Sequence, residues 1–227
     1  VEDRLRNDWL LELGRRRDWA NFRRDHATYQ MRDDREVACY ALLAEHLAGG
    51  KVAPDTARAA WFAQKDGDDG CNQLASAMVD AGTFKPDTLW ARARIATEQS
   101  RPRAARQAVA LLGTKLIDQK LTELQDNAGR FLTRKARTTP RPEAELTALA
   151  LARVAANDPD QAGDLLRDKW SRLPNDLQAW VWVQVGRQQA LRLQEGAVAA
   201  FERAEKLAPE LPWTCLLYTS DAADDSL

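Results

Sequence analysis

Cys39 and Cys71 are the first residues in this sequence whose type and spacing could do chemistry. Each falls in the first turn or two of an expected helix, with one further helix between them. Alternate helices of a stack of antiparallel pairs run parallel, so both thiols would lie at the same edge, where a disulfide is geometrically reasonable. Such a bridge would close a loop of about 32 residues, contribute roughly 3–4 kcal/mol through chain entropy and require an oxidising compartment. On spacing alone, two buried free thiols are the alternative. Cys215 stands in a stretch of different character and is given no partner.

Other reactive groups are sparse. His26 and His46 are the two histidines, and neither has metal-ligand spacing to a cysteine or a carboxylate pair. They are expected at surface or boundary positions, with no metal and no cofactor. A Gly-rich phosphate loop, a GxSxG elbow and an HExxH helix are all missing from the sequence. Acid catalysis on a glycosidic bond needs a carboxylic acid with a raised pKa in a partly desolvated cleft. Glu36, Glu45, Glu145 and Glu195 instead fall where cap or solvent-face positions are expected, so no catalytic residue is assigned.

Charge is distributed unevenly. The 227 residues carry 33 Lys plus Arg against 34 Asp plus Glu, a net charge of −1 that calls for neither nucleic acid nor an anionic membrane. Between Lys85 and Arg141, however, 13 basic residues face 5 acidic ones, a local excess of +8. Arg101, Arg103 and Arg106 gather at one expected helix start, and Arg130, Arg134, Lys135 and Arg137 at another. A basic surface facing an acidic polymer is one meaning of this segment; a solvated face in an arginine-rich sequence is the other. Trp90 and Phe131 are too few aromatics for single-stranded nucleic acid, which needs stacking platforms. Most of the eight tryptophans (Trp9, Trp61, Trp90, Trp170, Trp180 and Trp182 among them) fall on apolar stripes. Seams between helices explain them more simply than sugar-stacking platforms do. Trp180 and Trp182, two residues apart, cannot both face the same core.

The elements that would position these groups are helices throughout, interrupted by Gly or Pro. Leu5, Trp9 and Leu13 fall on one helical face, with Gly14 as the expected cap. A short helix after Asp18 turns Trp19 and Phe22 inward. Asp33 or Asp34 caps a helix with Val37, Tyr40, Leu43, Ala44 and Leu47, stopped by Gly49-Gly50. Pro54, Pro86, Pro102 and Pro159 open others at the first turn, where a missing N–H costs nothing. Leu74, Ala77, Met78 and Ala81 form a stripe stopped by Gly82. A helix is expected from about Pro142 to Ala156, another through Leu177, Trp180, Val181 and Val185, and a last one through Ala197, Ala200, Phe201, Ala204 and Leu207. The expected fold is all-α, a right-handed α-α superhelix of stacked antiparallel helix pairs, without an exact 34-residue repeat. No run approaches the ~20 apolar residues of a membrane span. Residues 1–212 are expected to form this domain, incomplete at both ends, since the sequence opens at Val1 without Met or a leader. Residues 213–227 (WTCLLYTSDAADDSL) lack helical period and cap logic and are expected to be a non-native, disordered tail.

Several segments, in order, resemble one family. Residues 4–14 (RLRNDWLLELG) followed by Arg17-Asp18-Trp19, residues 37–44 (VACYALLA), residues 69–78 (DGCNQLASAM), residues 152–170 and residues 173–207 look like the N-terminal helical domain of the periplasmic soluble lytic murein transglycosylases. The likeness covers about residues 1–213 and rests on packing patterns rather than catalytic signatures. It implies a U-shaped superhelical scaffold, a Cys39–Cys71 disulfide and a periplasmic location. It also implies a separate lysozyme-like domain that cleaves the muramic acid–glucosamine bond of peptidoglycan, leaving a 1,6-anhydro sugar, through a glutamate in a Glu-Ser motif. The sequence has no Glu-Ser pair, so that role passes to no residue here. The partners implied are peptidoglycan glycan strands and the missing lysozyme-like domain, with no nucleic acid and no membrane span. A tetratricopeptide-like protein-interaction adaptor is the alternative function.

Overall fold

Asparagine, aspartate and proline decide where most helices begin. In the computed structural model, which describes residues 2–209, side chains of Asp18, Asp34, Asp68, Asn127 and Asp158 each accept the backbone N–H three residues on. Those bonds satisfy otherwise orphaned donors at the starts of α2 (Trp19–His26), α3 (Arg35–Leu47), α5 (Asp69–Asp80), α9 (Ala128–Arg134) and α11 (Pro159–Asp168). Proline occupies the first turn of α4 (Pro54–Ala63), α6 (Pro86–Glu98), α7 (Pro102–Ala110) and α10 (Arg141–Asn157). The set is completed by α1 (Glu2–Arg15), α8 (Lys115–Asp126), α12 (Asn175–Leu191) and α13 (Ala197–Leu207). The chain is all-α: thirteen helices and no strand among the described residues. Residues 213–227, expected to be a tail, and the last residues of the expected 1–212 domain lie outside the described residues.

Helix ends follow one device. Residues Arg17, Gly49, Gly82, Ser100 and Leu193 all have positive φ, between 55° and 81°. At each, the next residue's N–H reaches back five residues, as Asp18 to Leu13 O and Thr83 to Met78 O do. This is the paired 6→1 and 5→2 termination that a left-handed residue makes possible. Gly49 and Gly82 were legible as stops. Gly14 is not one: it lies within α1, buried, and a Cβ there would come 2.4 Å from the Tyr40 ring. It is a point of close approach between α1 and α3, and the stop falls to Arg17.

The chain divides into two compact units, the first ending at Gln119 and the second beginning at Lys120. In the first, α3 packs on α1, α2, α4 and α5, and α6 on α7. Trp61 stacks on Phe84 with centroids 5.4 Å apart, and Phe22 meets Tyr40 edge-on at 6.2 Å. The expected inward stripe of α1 is corrected: Leu5 and Trp9 are 66% and 47% exposed, whereas Leu10 and Leu13 are buried. The true inward face runs Asp3, Arg6, Asn7, Leu10, Leu13, Gly14, and its first half is polar. Asn7 donates to Asp34 at 3.0 Å and accepts from Tyr29 Oη at 2.7 Å, while Asp3 accepts the Met31 N–H at 3.1 Å. Leu47 is exposed too, beyond the buried part of α3. In the second unit α10 is the centre, packed on α9, α11 and α12, with every residue from Glu143 to Ala152 buried.

Candidate functional site

Glu36, Glu45, Glu145 and Glu195 divide in the structure. Glu45 and Glu195 are exposed, and half-buried Glu36 accepts the Gly70 N–H at 3.2 Å. Glu145 contradicts its solvent-face expectation, because a helix packed on three sides has no solvent face: its side chain is 1% exposed. Arg141, one turn earlier, donates to it through Nε at 3.0 Å and Nη2 at 2.8 Å, and to Asp176 on α12 at 2.6 Å. Burial works against the Arg141 charge, yet the bonds to Asp176 and Glu145 more than reverse it and hold the guanidinium pKa above its ordinary value. Beside this pair Lys120 bonds Glu143. Glu145 is therefore a structural carboxylate that ties α10 to α12.

Cys39 on α3 and Cys71 on α5 are joined by a disulfide, with Cα atoms 4.9 Å apart and both residues fully buried. Hydrogen bonds flank the bridge. Asp68 accepts the Cys71 N–H at 2.7 Å, and Tyr40 Oη donates to Asp69 at 3.0 Å. Burial, and then the bond to Asp69, push the Tyr40 phenol well above the usual range. Burial likewise raises the Asp68 carboxyl, against the opposing hydrogen bonds from Cys71 and Gln64.

The basic candidates fall into separate units. Arg101, Arg103 and Arg106 are exposed at the start of α7 in the first unit; Arg130, Arg134, Lys135 and Arg137 are exposed on and after α9 in the second. Arg101 and Arg103 adjoin the positive end of the α7 dipole, an unfavourable place for a cation that concentrates positive potential there. The raw excess of charge overstates the surface. Arg92, in the same segment, is buried and donates to Gln64 O at 2.9 Å, and burial lowers its pKa. Lys120 and Arg141 are ion-paired as above, and Lys135 bonds Glu123 at 2.6 Å.

Trp61, Trp90 and Trp182 are buried in helix seams, which removes their faces as sugar platforms; Trp180 is half-buried. Exposed Trp9 donates its indole N–H to Asp25 at 2.9 Å. Asp25 is held below the usual carboxylate range first by Arg24 and then by that indole.

An open groove of about 1150 Å³ lies in the first unit among α2, α3 and α4. His26 lines it, stacked on Phe22 at 5.6 Å; burial pushes its imidazole below the ordinary value, and Arg32 adds to the effect. Among the described residues no group of three His, Cys, Asp or Glu is placed to hold a metal, and no helix is long and apolar enough to cross a membrane.

No protein-family model matches the chain, and no curated protein sequence does. The chain is similar to solved structures, among them two of lytic transglycosylases. One is an inactive mutant of the lytic transglycosylase Slt from Pseudomonas aeruginosa, 22% identical, with a TM-score of 0.64 over 92% of this chain and 34% of that one. The other is the 70-kDa soluble lytic transglycosylase in complex with bulgecin A, 20% identical, with a TM-score of 0.55 over 89% of this chain and 34% of that one. The chain thus has the helical fold found in part of these enzymes and spans about a third of their length.

Proposed function

We propose that this chain is the scaffold part of a periplasmic lytic transglycosylase, a helical wall against which peptidoglycan glycan strands are held. The likeness of fold over 92% of the chain carries this reading, since both of these similar structures are lytic transglycosylases. Cleavage of the muramic acid–glucosamine bond, with its 1,6-anhydro product, belongs on this reading to a lysozyme-like domain outside these residues. Two observations support it. Glu145, the most buried of the acids considered, is committed to Arg141. The Cys39–Cys71 bond suits an oxidising compartment such as the periplasm.

Binding would rest on charge. Peptidoglycan carries stem-peptide and muramyl carboxylates, and exposed guanidiniums on α7 and α9 would attract them over roughly a Debye length, about 8–10 Å at moderate salt. Pelleting the purified chain with murein sacculi at rising salt tests this. Retention is expected at low salt, with loss as salt rises and on replacing Arg101, Arg103 and Arg106, or Arg130, Arg134 and Arg137, with glutamine. Retention that ignores both salt and these substitutions would count against the basic surfaces. A stoichiometric protein partner with no murein affinity would favour the adaptor function.

A further inference from the structure

We infer that the groove among α2, α3 and α4 is a docking site for an amphipathic helix of a separate partner protein, lying antiparallel to α3. This goes beyond glycan binding and uses none of the basic residues assigned to it. The floor is built from small side chains: Ala38, Ala41 and Ala44 of α3 with Ala59 and Ala60 of α4. Alanine floors let a helix backbone approach closely, the requirement for ridge-into-groove packing. The α3 helix, 13 residues long, gives a bed of about 20 Å at 1.5 Å per residue.

The rim carries charge of opposite sign at its two ends. The start of α3 is joined to α2 through residues 27–34, and on that side stand Arg23 and Arg32. The end of α3 is joined to α4 through residues 48–53, and there stand Glu45 and Asp55. Asp34 and His26 also line the cationic side. Asp34 is already engaged, accepting from Val37 N–H at 3.0 Å and from Asn7. Burial favours the neutral form of His26. Among the described residues Arg23, Arg32 and Glu45 make no ion pair, while Asp55 bonds exposed Arg58 at 3.1 Å. A helix complements this rim when its positive, N-terminal end lies at Glu45 and Asp55 and its negative, C-terminal end at Arg23 and Arg32. The occupant is therefore a helix with an apolar stripe at i, i+3, i+4 and i+7, basic residues in its first turns and acidic residues in its last, seated by the helix-in-groove mode.

The test titrates the purified chain, disulfide intact, into a fluorescent designed helix of about 18 residues, roughly 27 Å long, carrying that stripe and charge order. A second peptide has the same stripe with the charge order reversed. Saturable binding is expected, at least tenfold weaker for the reversed peptide. Ala38→Arg, at an exposed position on the floor, should weaken binding at least tenfold while leaving the helical circular dichroism and sacculus pelleting unchanged. Glu45→Lys should shift preference towards the reversed peptide. Equal binding of the two charge orders, no binding at ~1 mM peptide, or insensitivity to Ala38→Arg overturns the inference. So does displacement of the peptide by soluble peptidoglycan fragments, which would give the groove to glycan. Loss of sacculus binding through the Arg→Gln variants alone would touch only the glycan reading.

Discussion

Reducing the Cys39–Cys71 bond should destabilise the first unit and leave the second alone. The bond closes a loop of 32 residues. On the chain-entropy relation that loop restricts the unfolded chain by about 12 cal/mol/K, or about 3.7 kcal/mol at 25 °C. For a urea dependence of about 2 kcal/mol/M, the unfolding midpoint of this unit should fall by roughly 2 M. The assay compares oxidised and reduced protein of one sequence, so no side-chain volume changes. Cys215 is first replaced by serine, so that no third thiol can exchange. Both bonded cysteines are fully buried, so reduction is carried out in denaturant and the protein refolded with reductant present. Hydrogen exchange then reads each unit by itself. Amides of α3, α4 and α5 should lose protection by a factor of about 10² or more, since each 1.4 kcal/mol is tenfold. Those of α10, α11 and α12 should not change. An unchanged midpoint, or equal loss of protection in both units, would refute the entropic account or the independence of the units.

Three further outcomes are expected. Arg141→Ala removes partners from Glu145 and Asp176 and should destabilise the second unit by about 2–3 kcal/mol, less than for a fully buried pair because the arginine side chain is 39% exposed; denaturant melts followed by exchange at α10 and α12 check it. Leu193→Gly should stabilise by about 0.5–1 kcal/mol, since residue 193 is 93% exposed at φ 55° and glycine relieves left-handed strain at little loss of contact; thermal melts read the gain. Asp68→Asn keeps a capping side chain and removes a charge whose folded pKa is raised by burial. With the folded state binding the proton more tightly, wild-type stability falls as pH rises from the unfolded value, about 3.9, through the raised folded one. The variant should therefore gain on the wild type at pH 7 and lose that advantage below about pH 4, measured by urea melts across pH.

Much of the fold could be read locally. Asp34 is one of the two caps expected for α3, a short helix follows Asp18 as expected, and Pro54, Pro86, Pro102 and Pro159 open their helices. Caps and proline openings act over three or four residues, so their signal is complete within the sequence around them. The stops were legible where glycine marks them and hidden where Arg17, Ser100 and Leu193 take the same left-handed conformation.

What the sequence determined by itself was therefore the succession of helices, most of their boundaries and the residues that face a core where the inward stripe is wholly apolar. The tertiary structure decided everything that depends on which face meets which neighbour. It turned α1 through its polar half, so that Asn7 and Asp3 point inward and Trp9 outward. It enclosed α10 on three sides and drew Glu145 onto Arg141, and it buried Arg92 against Gln64. It set Arg23 and Glu45 along one alanine-floored groove. Propensity and capping are properties of a few consecutive residues, whereas burial of a charge also depends on groups distant in sequence, Gln64 lying 28 positions from Arg92 and Asp176 35 from Arg141, and no local pattern records them.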